Sequence, residues 1–161
     1  MQNILIVGGG IGGQRYTEAL LFDQDITLSL AGFGVLGKTA ELALKYKLDY
    51  LEFFKMDSFS QYQCLIICIP PNSRIDVLNI VIDSGYLGKI IIDKPLSLNL
   101  EDCNLQLSML KNIEFIVPYS RRFIYNINSS TAFFLEDNII RIPIIDRSKM
   151  YLVNLVTHVL T

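Results

Sequence analysis

Lys94 stands between an aspartate and a proline at the end of an apolar run, in the stretch IIIDKPLSLN at residues 90–99. Three isoleucines in a row indicate a buried strand. A lysine that follows such a strand is most often simply solvated, because lysines are mostly exposed. The alternative is an ammonium group held at the rim of a sheet, where it can transfer a proton or polarise a carbonyl.

A second candidate is the glycine-rich stretch GGGIGG, which contains Gly8-x-Gly10-x-x-Gly13 and encloses Ile11 and Gly12. It follows the apolar strand NILIV and opens a helix, which is the context that a dinucleotide-binding turn requires. There the first glycine permits a tight turn, the second lets the backbone approach a pyrophosphate, and the third lets helix and strand pack closely. The loop is therefore predicted to bind a nucleotide cofactor, and the alternative is a plain glycine turn.

The end of the second predicted strand bears on the choice between NAD and NADP. In NAD-binding domains an acid at this place takes the ribose 2′-hydroxyl, but this strand ends in AGFG, residues 31–34, without an acid. Arg15 opens the first helix, and Lys38 lies just beyond the strand. The pattern slightly favours NADP over NAD, although both cations are equally compatible with ordinary exposed helix positions.

A scaffold for these residues is predicted from alternating apolar and helical segments. Strands are expected at residues 3–7, 26–31, 50–53, 64–69, 89–93 and 114–120. Helices are expected at 14–22, 36–46, 73–84 and 99–111. The central strands are apolar throughout, which is typical of a parallel sheet covered on both faces. The predicted fold is α/β, a Rossmann-like doubly wound parallel sheet over residues 1–120, in which ligands bind beyond the carboxyl ends of the strands.

Two further expectations concern the helices. The second helix is expected to bury one apolar face, and the residues of that face are Leu36, Ala40, Ala43 and Leu44. The fourth helix is expected to begin after Asn99, because asparagine is a favourable N-cap residue.

Composition excludes several classes of protein. The 161 residues are 51% hydrophobic and 19% charged with a formal net charge of −2, which fits one well-buried domain. No basic stripe indicates nucleic-acid binding, and no apolar run reaches the roughly 18 residues of a membrane helix. Cys64, Cys68 and Cys103 lack metal-ligand spacing, so we expect free thiols in a reducing compartment. A cytoplasmic protein is expected, with no metal site, nucleic-acid partner or membrane anchor.

Several segments, taken in order, resemble the Gfo/Idh/MocA family of NAD(P)-dependent oxidoreductases. ILIVGGGIGG is similar to the family's opening strand and glycine turn, and CIPPNSRIDVLNIVIDSG to its fourth strand, proline turn and helix. IIIDKPLSLNLED resembles its Glu-Lys-Pro segment, with Asp93 in place of the glutamate. VPYSRRF is similar to the segment that leads into the second domain, and NLVTHVLT to an Asp-x-x-x-His helix.

The resemblance implies hydride transfer between a nicotinamide cofactor and a hydroxyl or carbonyl of a sugar-like small molecule, with surface-polysaccharide biosynthesis as one setting. It implies that Lys94 is a catalytic residue beside the nicotinamide, that Pro95 fixes its turn, and that both residues bind the cofactor. Pro70 and Pro71, after the fourth strand, are implied to lie at the cofactor. Arg74 occupies a place where the family often has a histidine.

The resemblance also assigns residues near the C-terminus. It implies that Asn154 and His158 are catalytic and that Arg122 and Tyr119 contact the substrate. Asn154 stands where the family has an aspartate, and an asparagine can hydrogen-bond but cannot act as a carboxylate base. His158, the only histidine in the chain, is equally compatible with a buried histidine on an apolar helix.

Residues 121–161 are expected to be the remnant or the start of a substrate and oligomerisation domain. Residues 150–161 are apolar on nearly all sides if they are helical, and such a helix needs cover. We therefore expect self-association, most simply as a dimer. Two alternative functions stay open: a non-catalytic nucleotide-binding subunit or regulator, favoured by Asn154 and the short C-terminal region, and an imine or other carbonyl reductase of the same family.

Overall fold

A computed structural model describes residues 1–118 of the chain. The strands are β1 Gln2–Val7, β2 Ile26–Gly32, β3 Asp49–Glu52, β4 Cys64–Ile67, β5 Lys89–Ile92 and β6 Phe115–Ile116. The helices are α1 Ile11–Leu20, α2 Lys38–Tyr46, α3 Arg74–Asp83 and α4 Leu100–Met109. All strand pairs are parallel, in the order β3-β2-β1-β4-β5-β6. This is the order of a doubly wound dinucleotide-binding sheet, so the predicted fold class is confirmed.

The central strand β1 is apolar at each of its four fully buried residues, 4–7. Ile4 and Ile6 are fully buried in one core cluster, with side chains from α1 and α2. Leu5 and Val7 are fully buried in the opposite cluster, with side chains from α3. Since successive strand residues point to opposite faces, a strand covered on both sides must be apolar at every position.

The strands β4, β5 and β6 are shorter than predicted at their carboxyl ends. The apolar run of β4 continues to Ile69, but its ladder ends at Ile67. The predicted sixth strand, residues 114–120, keeps only two paired residues. An apolar run indicates which residues are buried, and the buried segment extends beyond the last hydrogen-bonded pair of the strand.

The prediction for α2 was wrong in its buried face. The helix begins at Lys38, after Gly37 at a φ of +146°. Leu36 therefore lies outside the helix, and it is 95% exposed. Ala43 is buried against the sheet as predicted, but its buried neighbour is Leu42, which the prediction did not include. Leu44 is 83% exposed, because it lies about 200° around the helix from Leu42.

The start of α4 agrees with its prediction. The side chain of Asn99 accepts a hydrogen bond of 2.8 Å from the backbone N–H of Asp102. This contact satisfies one of the backbone donors that the first turn of a helix leaves without an intrahelical partner.

The predicted C-terminal region, residues 121–161, lies outside the described residues, as does the predicted helix at 150–161. Within residues 1–118, no helix is long and apolar enough to cross a membrane. The same residues contain no group of three or more histidine, cysteine or acidic side chains that could hold a metal ion.

Candidate cofactor site and the lysine beside it

The glycine loop makes a tight connection between β1 and α1. Gly8 has a φ of +101°, in the region that side chains disfavour. A Cβ added at Gly13 would lie 1.9 Å from the Gly8 carbonyl oxygen. The first glycine therefore makes the turn possible, and the third allows α1 to pack directly on the end of β1.

Gly10 has a different environment. It is the N-cap residue of α1 with a φ of −69°, and a Cβ added there would meet nothing within 4 Å. The backbone at Gly10 thus borders open space at the start of a helix. The first N–H groups of a helix lack intrahelical partners, and with the helix dipole they attract phosphate. This combination fits the pyrophosphate of a dinucleotide.

A cleft of about 310 Å³ lies between the glycine loop and α2. Gly9 and Gly10 line one side, and Lys38, Glu41 and Lys45 line the other. The loop and the helix meet closely, because a Cβ at Gly9 would lie 2.4 Å from a backbone atom of α2. The cleft therefore offers backbone donors, two ammonium groups and one carboxylate to a ligand at the loop.

The two cations predicted to favour NADP have different positions. Lys38 lines the cleft, whereas Arg15 is exposed on α1 and is not among the residues of its wall. The end of β2 carries Gly32 and then Phe33, so no acid stands there. Phe33 packs against Phe53, with ring centroids 5.5 Å apart.

Lys94 is the second residue after β5 and is exposed, and its peptide bond to Pro95 is cis. The preceding residue, Asp93, donates a backbone hydrogen bond of 2.9 Å to Ile67 of β4. The Asp93 carboxylate also lies against α1, because a Cβ at Gly12 would be 2.5 Å from its Oδ2. The residue before Lys94 therefore touches the first turn of the helix that carries the glycine loop.

The proline turn after β4 lies at the same end of the sheet. Pro70 is exposed and Pro71 begins a short 3-10 turn. The residues just before them touch the glycine loop, since a Cβ at Gly8 would lie 2.6 Å from the carbonyl oxygen of Cys68. The segments after β1, β4 and β5 thus converge at the carboxyl ends of three adjacent strands, as parallel pairing requires.

Cys68 and Tyr16 fill the space beneath this convergence. Burial raises the pKa of the Cys68 thiol well above its usual range, and the nearby Asp93 carboxylate raises it further. Burial likewise raises the pKa of the Tyr16 hydroxyl, with smaller contributions from Cys68 and Asp93. Both groups stay protonated near neutral pH and therefore carry no charge. They lie buried beneath the three converging segments.

Arg74 has an arrangement that sequence reasoning missed. Its side chain is 1% exposed, and its guanidinium donates to the carbonyl oxygens of Ile69, Pro95 and Leu96. The available signal for this arrangement was a single arginine directly after a proline turn. The sequence does not show that the partners of Arg74 include backbone carbonyls more than twenty residues away.

The remaining predicted site residues lie outside the described residues. These are Tyr119, Arg122, Asn154 and His158. The predicted catalytic roles and substrate contacts of these residues stay predictions.

The strand order and the glycine turn together define a dinucleotide-binding Rossmann domain. The family model for Gfo/Idh/MocA, described as an oxidoreductase family with an NAD-binding Rossmann fold, matches residues 2–117. The chain belongs to this oxidoreductase family, as its sequence motifs predicted. No curated protein matches the sequence of the chain.

Solved structures show the same fold. A Gfo/Idh/MocA family oxidoreductase from Vibrio cholerae has a TM-score of 0.66 and 20% identity, over 81% of this chain and 43% of its own. Scyllo-inositol dehydrogenase from Lactobacillus casei, with bound NAD(H) and scyllo-inositol, has a TM-score of 0.61 and 18% identity, over 76% and 37%. UDP-N-acetylglucosamine 3-dehydrogenase from Acidithiobacillus ferrooxidans has a TM-score of 0.55 and 14% identity, over 68% and 35%. The chain thus spans less than half the length of these proteins.

Proposed function

We propose that this protein transfers a hydride between NAD(P) and a hydroxyl or carbonyl group of a sugar-like small molecule. The observation that carries the proposal is that the glycine loop and the segment after β5 meet at one end of the sheet. The open backbone at Gly10 fits a pyrophosphate, and Asp93, which precedes the exposed Lys94, touches the same helix at Gly12. A lysine in that position is available to a substrate bound beside the cofactor.

Lys94 supplies the proton chemistry in this proposal. When bound, the nicotinamide ring accepts or supplies the hydride. Oxidation of an alcohol also releases a proton, and reduction of a carbonyl consumes one. An ammonium group beside the substrate oxygen donates that proton in reduction and stabilises the developing negative charge, while the neutral amine accepts the proton in oxidation.

The substrate class is proposed from the relatives. Two of the solved structures with this fold are dehydrogenases of a cyclic polyol and of a nucleotide sugar. Both substrates carry secondary hydroxyl groups, which become ketones on loss of a hydride and a proton. We propose a substrate of this kind, in which a hydroxyl or ketone oxygen lies against Lys94.

We also propose that NADP is accommodated at least as well as NAD. The absence of an acid after β2 and the presence of Lys38 and Lys45 in the cleft wall support this. Glu41 lies in the same wall and opposes a 2′-phosphate. The Kd values of the full chain for NADP and NAD, measured with Lys38→Ala and Arg15→Ala, test the proposal. We expect Lys38→Ala to weaken NADP binding specifically. Equal Kd values for both variants and the wild type would assign no role to either cation.

Cofactor binding is tested with Gly10→Leu, because its side chain would enter the space that we assign to the pyrophosphate. One lost hydrogen bond to a charged phosphate costs about 1.5–3 kcal/mol, so we expect Kd to rise by about tenfold or more. The control is Phe22→Leu, which places a leucine at an exposed position beyond the opposite end of α1. An unchanged Kd in a folded Gly10→Leu variant would show that the pyrophosphate does not bind at this loop.

Catalysis is tested with Lys94→Ala in a screen of polyols and nucleotide sugars, followed by absorbance of the reduced nicotinamide. We expect turnover to fall by about a hundredfold or more, with a much smaller change in the Kd of the cofactor. Lys89→Ala serves as a control at the other end of β5. Unchanged turnover in Lys94→Ala would return this lysine to an ordinary solvated position, and cofactor binding with no turnover in the wild type would favour a non-catalytic nucleotide-binding subunit.

A further inference from the structure

Arg74, the first residue of α3, is one of the largest fully buried side chains in the described part of the chain. Arginine is almost never fully buried unless its charge is well partnered, because removing the guanidinium from water is costly. The site at which it is buried lies directly beside the proposed catalytic lysine. The question is what this buried charge is used for.

The hydrogen bonds of Arg74 join two separate segments. Nη2 donates to the carbonyl oxygen of Ile69, beyond the end of β4, at 2.8 Å. Nη1 donates to the carbonyl oxygens of Pro95 and Leu96, beyond the end of β5, the latter at 2.8 Å. The guanidinium therefore bridges the turns that follow two adjacent strands. Its planar fork suits this task, because two nitrogens at a fixed spacing point at different acceptors.

Two of the three carbonyl groups that Arg74 binds belong to Pro95 and Leu96, the residues that follow Lys94. On its other side, the backbone N–H of Asp93 donates to Ile67 at 2.9 Å. The backbone around Lys94 is thus anchored immediately before and immediately after that residue, while its side chain remains exposed. The direction in which the ammonium group leaves the turn depends on both anchors.

We propose that Arg74 is a positioning residue for Lys94. By holding the carbonyls of Pro95 and Leu96 against the turn after β4, it fixes the backbone from which Lys94 extends towards the substrate. This proposal rests on the proposed function, in which Lys94 moves the proton. Arg74 itself touches only the protein and acts on the reaction through the lysine.

The test is a double-mutant cycle in the full chain with Arg74→Lys, Lys94→Ala and the double variant. Arg74→Lys keeps the positive charge, but a single nitrogen cannot replace the two arms of the fork. Misplacement of a catalytic group by about 1 Å costs up to about a hundredfold in rate. We therefore expect Arg74→Lys to lower kcat by about tenfold to a hundredfold and to change the Kd of the cofactor by less than about threefold.

The decisive comparison is the effect of Arg74→Lys in the Lys94→Ala background. A residue that acts through Lys94 has nothing left to position there, so we expect kcat of the double variant to match that of Lys94→Ala alone. Losses that multiply would assign Arg74 a structural role independent of the lysine and would overturn the proposal. If Arg74→Lys does not fold, Arg74→Gln, which keeps one amide donor, enters the same cycle.

Amide hydrogen exchange provides a readout that needs no turnover. We expect Arg74→Lys to speed exchange at residues 94–99 by about tenfold or more, with no change at β2, which β1 separates from β4 in the sheet. Unchanged exchange at residues 94–99, or equal acceleration throughout the chain, would overturn the proposal. If the wild type shows no turnover, the proposed function fails, and exchange alone then decides whether Arg74 holds this turn.

Discussion

The replacement Gly13→Ala tests how closely α1 packs on β1. The added methyl group would lie 1.9 Å from the Gly8 carbonyl oxygen, whereas real Cβ contacts are essentially never shorter than 3.0 Å, so the helix must retreat by about 1.1 Å. The contact joins the added Cβ atom to a backbone carbonyl oxygen, so no flexible side chain can move aside to relieve it. Overpacking of this kind costs about 1–3 kcal/mol, and we place this case near 3 kcal/mol.

A smaller effect acts in the opposite direction. Gly13 lies within α1, where alanine is favoured over glycine by about 1 kcal/mol. The net expectation is a loss of about 2 kcal/mol in the free energy of unfolding, measured by urea denaturation followed by circular dichroism. The retreat of α1 also moves the N–H groups that we propose bind phosphate, so we expect weaker cofactor binding as well.

Gly10→Ala is the matched control, since it adds the same methyl group three residues earlier. Its φ of −69° suits any residue, and the added Cβ would meet nothing within 4 Å. We expect a stability loss below about 1 kcal/mol, from the weaker N-cap alone. If Gly13→Ala were as stable as Gly10→Ala, the close approach of α1 to β1 would be refuted.

Three further expectations concern stability. Gln106 is fully buried, and its side-chain amide has no hydrogen-bond partner within residues 1–118; we expect Gln106→Met to raise the free energy of unfolding by about 1–2 kcal/mol, and a loss in urea denaturation would contradict this. Asn99→Ala should lower it by about 1 kcal/mol while Asn99→Ser retains it, and equal losses would exclude capping as the cause. Burial raises the pKa of the Cys64 thiol from 9.0 to about 12, so the unfolded chain loses this proton first as the pH rises. Stability should fall by up to about 1.4 kcal/mol per pH unit between those two values for this group, and Cys64→Ala should flatten the urea-denaturation profile.

The sheet and the glycine loop were predictable because their physical causes lie within short stretches of sequence. The fully apolar segments of β1, β4 and β5 report burial on both faces. The spacing of Gly8, Gly10 and Gly13 predicts a tight turn, an open approach to the backbone and a close packing contact. The structure has these three features at those three positions.

The role of Arg74 and the face of α2 were not predictable in the same way. Arg74 binds backbone carbonyls at positions 69, 95 and 96, and any residue type could supply them. The buried face of α2 depends on where the helix begins, and Gly37 sets that point two residues later than the apolar pattern indicates. The contacts of Arg74 are tertiary and leave no local pattern, whereas the start of α2 is a local feature that the apolar spacing alone does not show.

The position of β1 in the middle of the sheet has a consequence for synthesis on the ribosome. The backbone N–H of Asn3 bonds to the side chain of Gln63, 60 residues later, and β4 then pairs along one whole side of β1. At typical elongation rates of about 5–20 residues per second, that side of β1 stays without its neighbour for about 3–12 s. The glycine loop acquires its contact with Cys68 only after this interval, and its contact with Asp93 later still. The nascent chain therefore has the glycines that we propose bind phosphate long before it has Cys68, Asp93 and the proposed catalytic lysine.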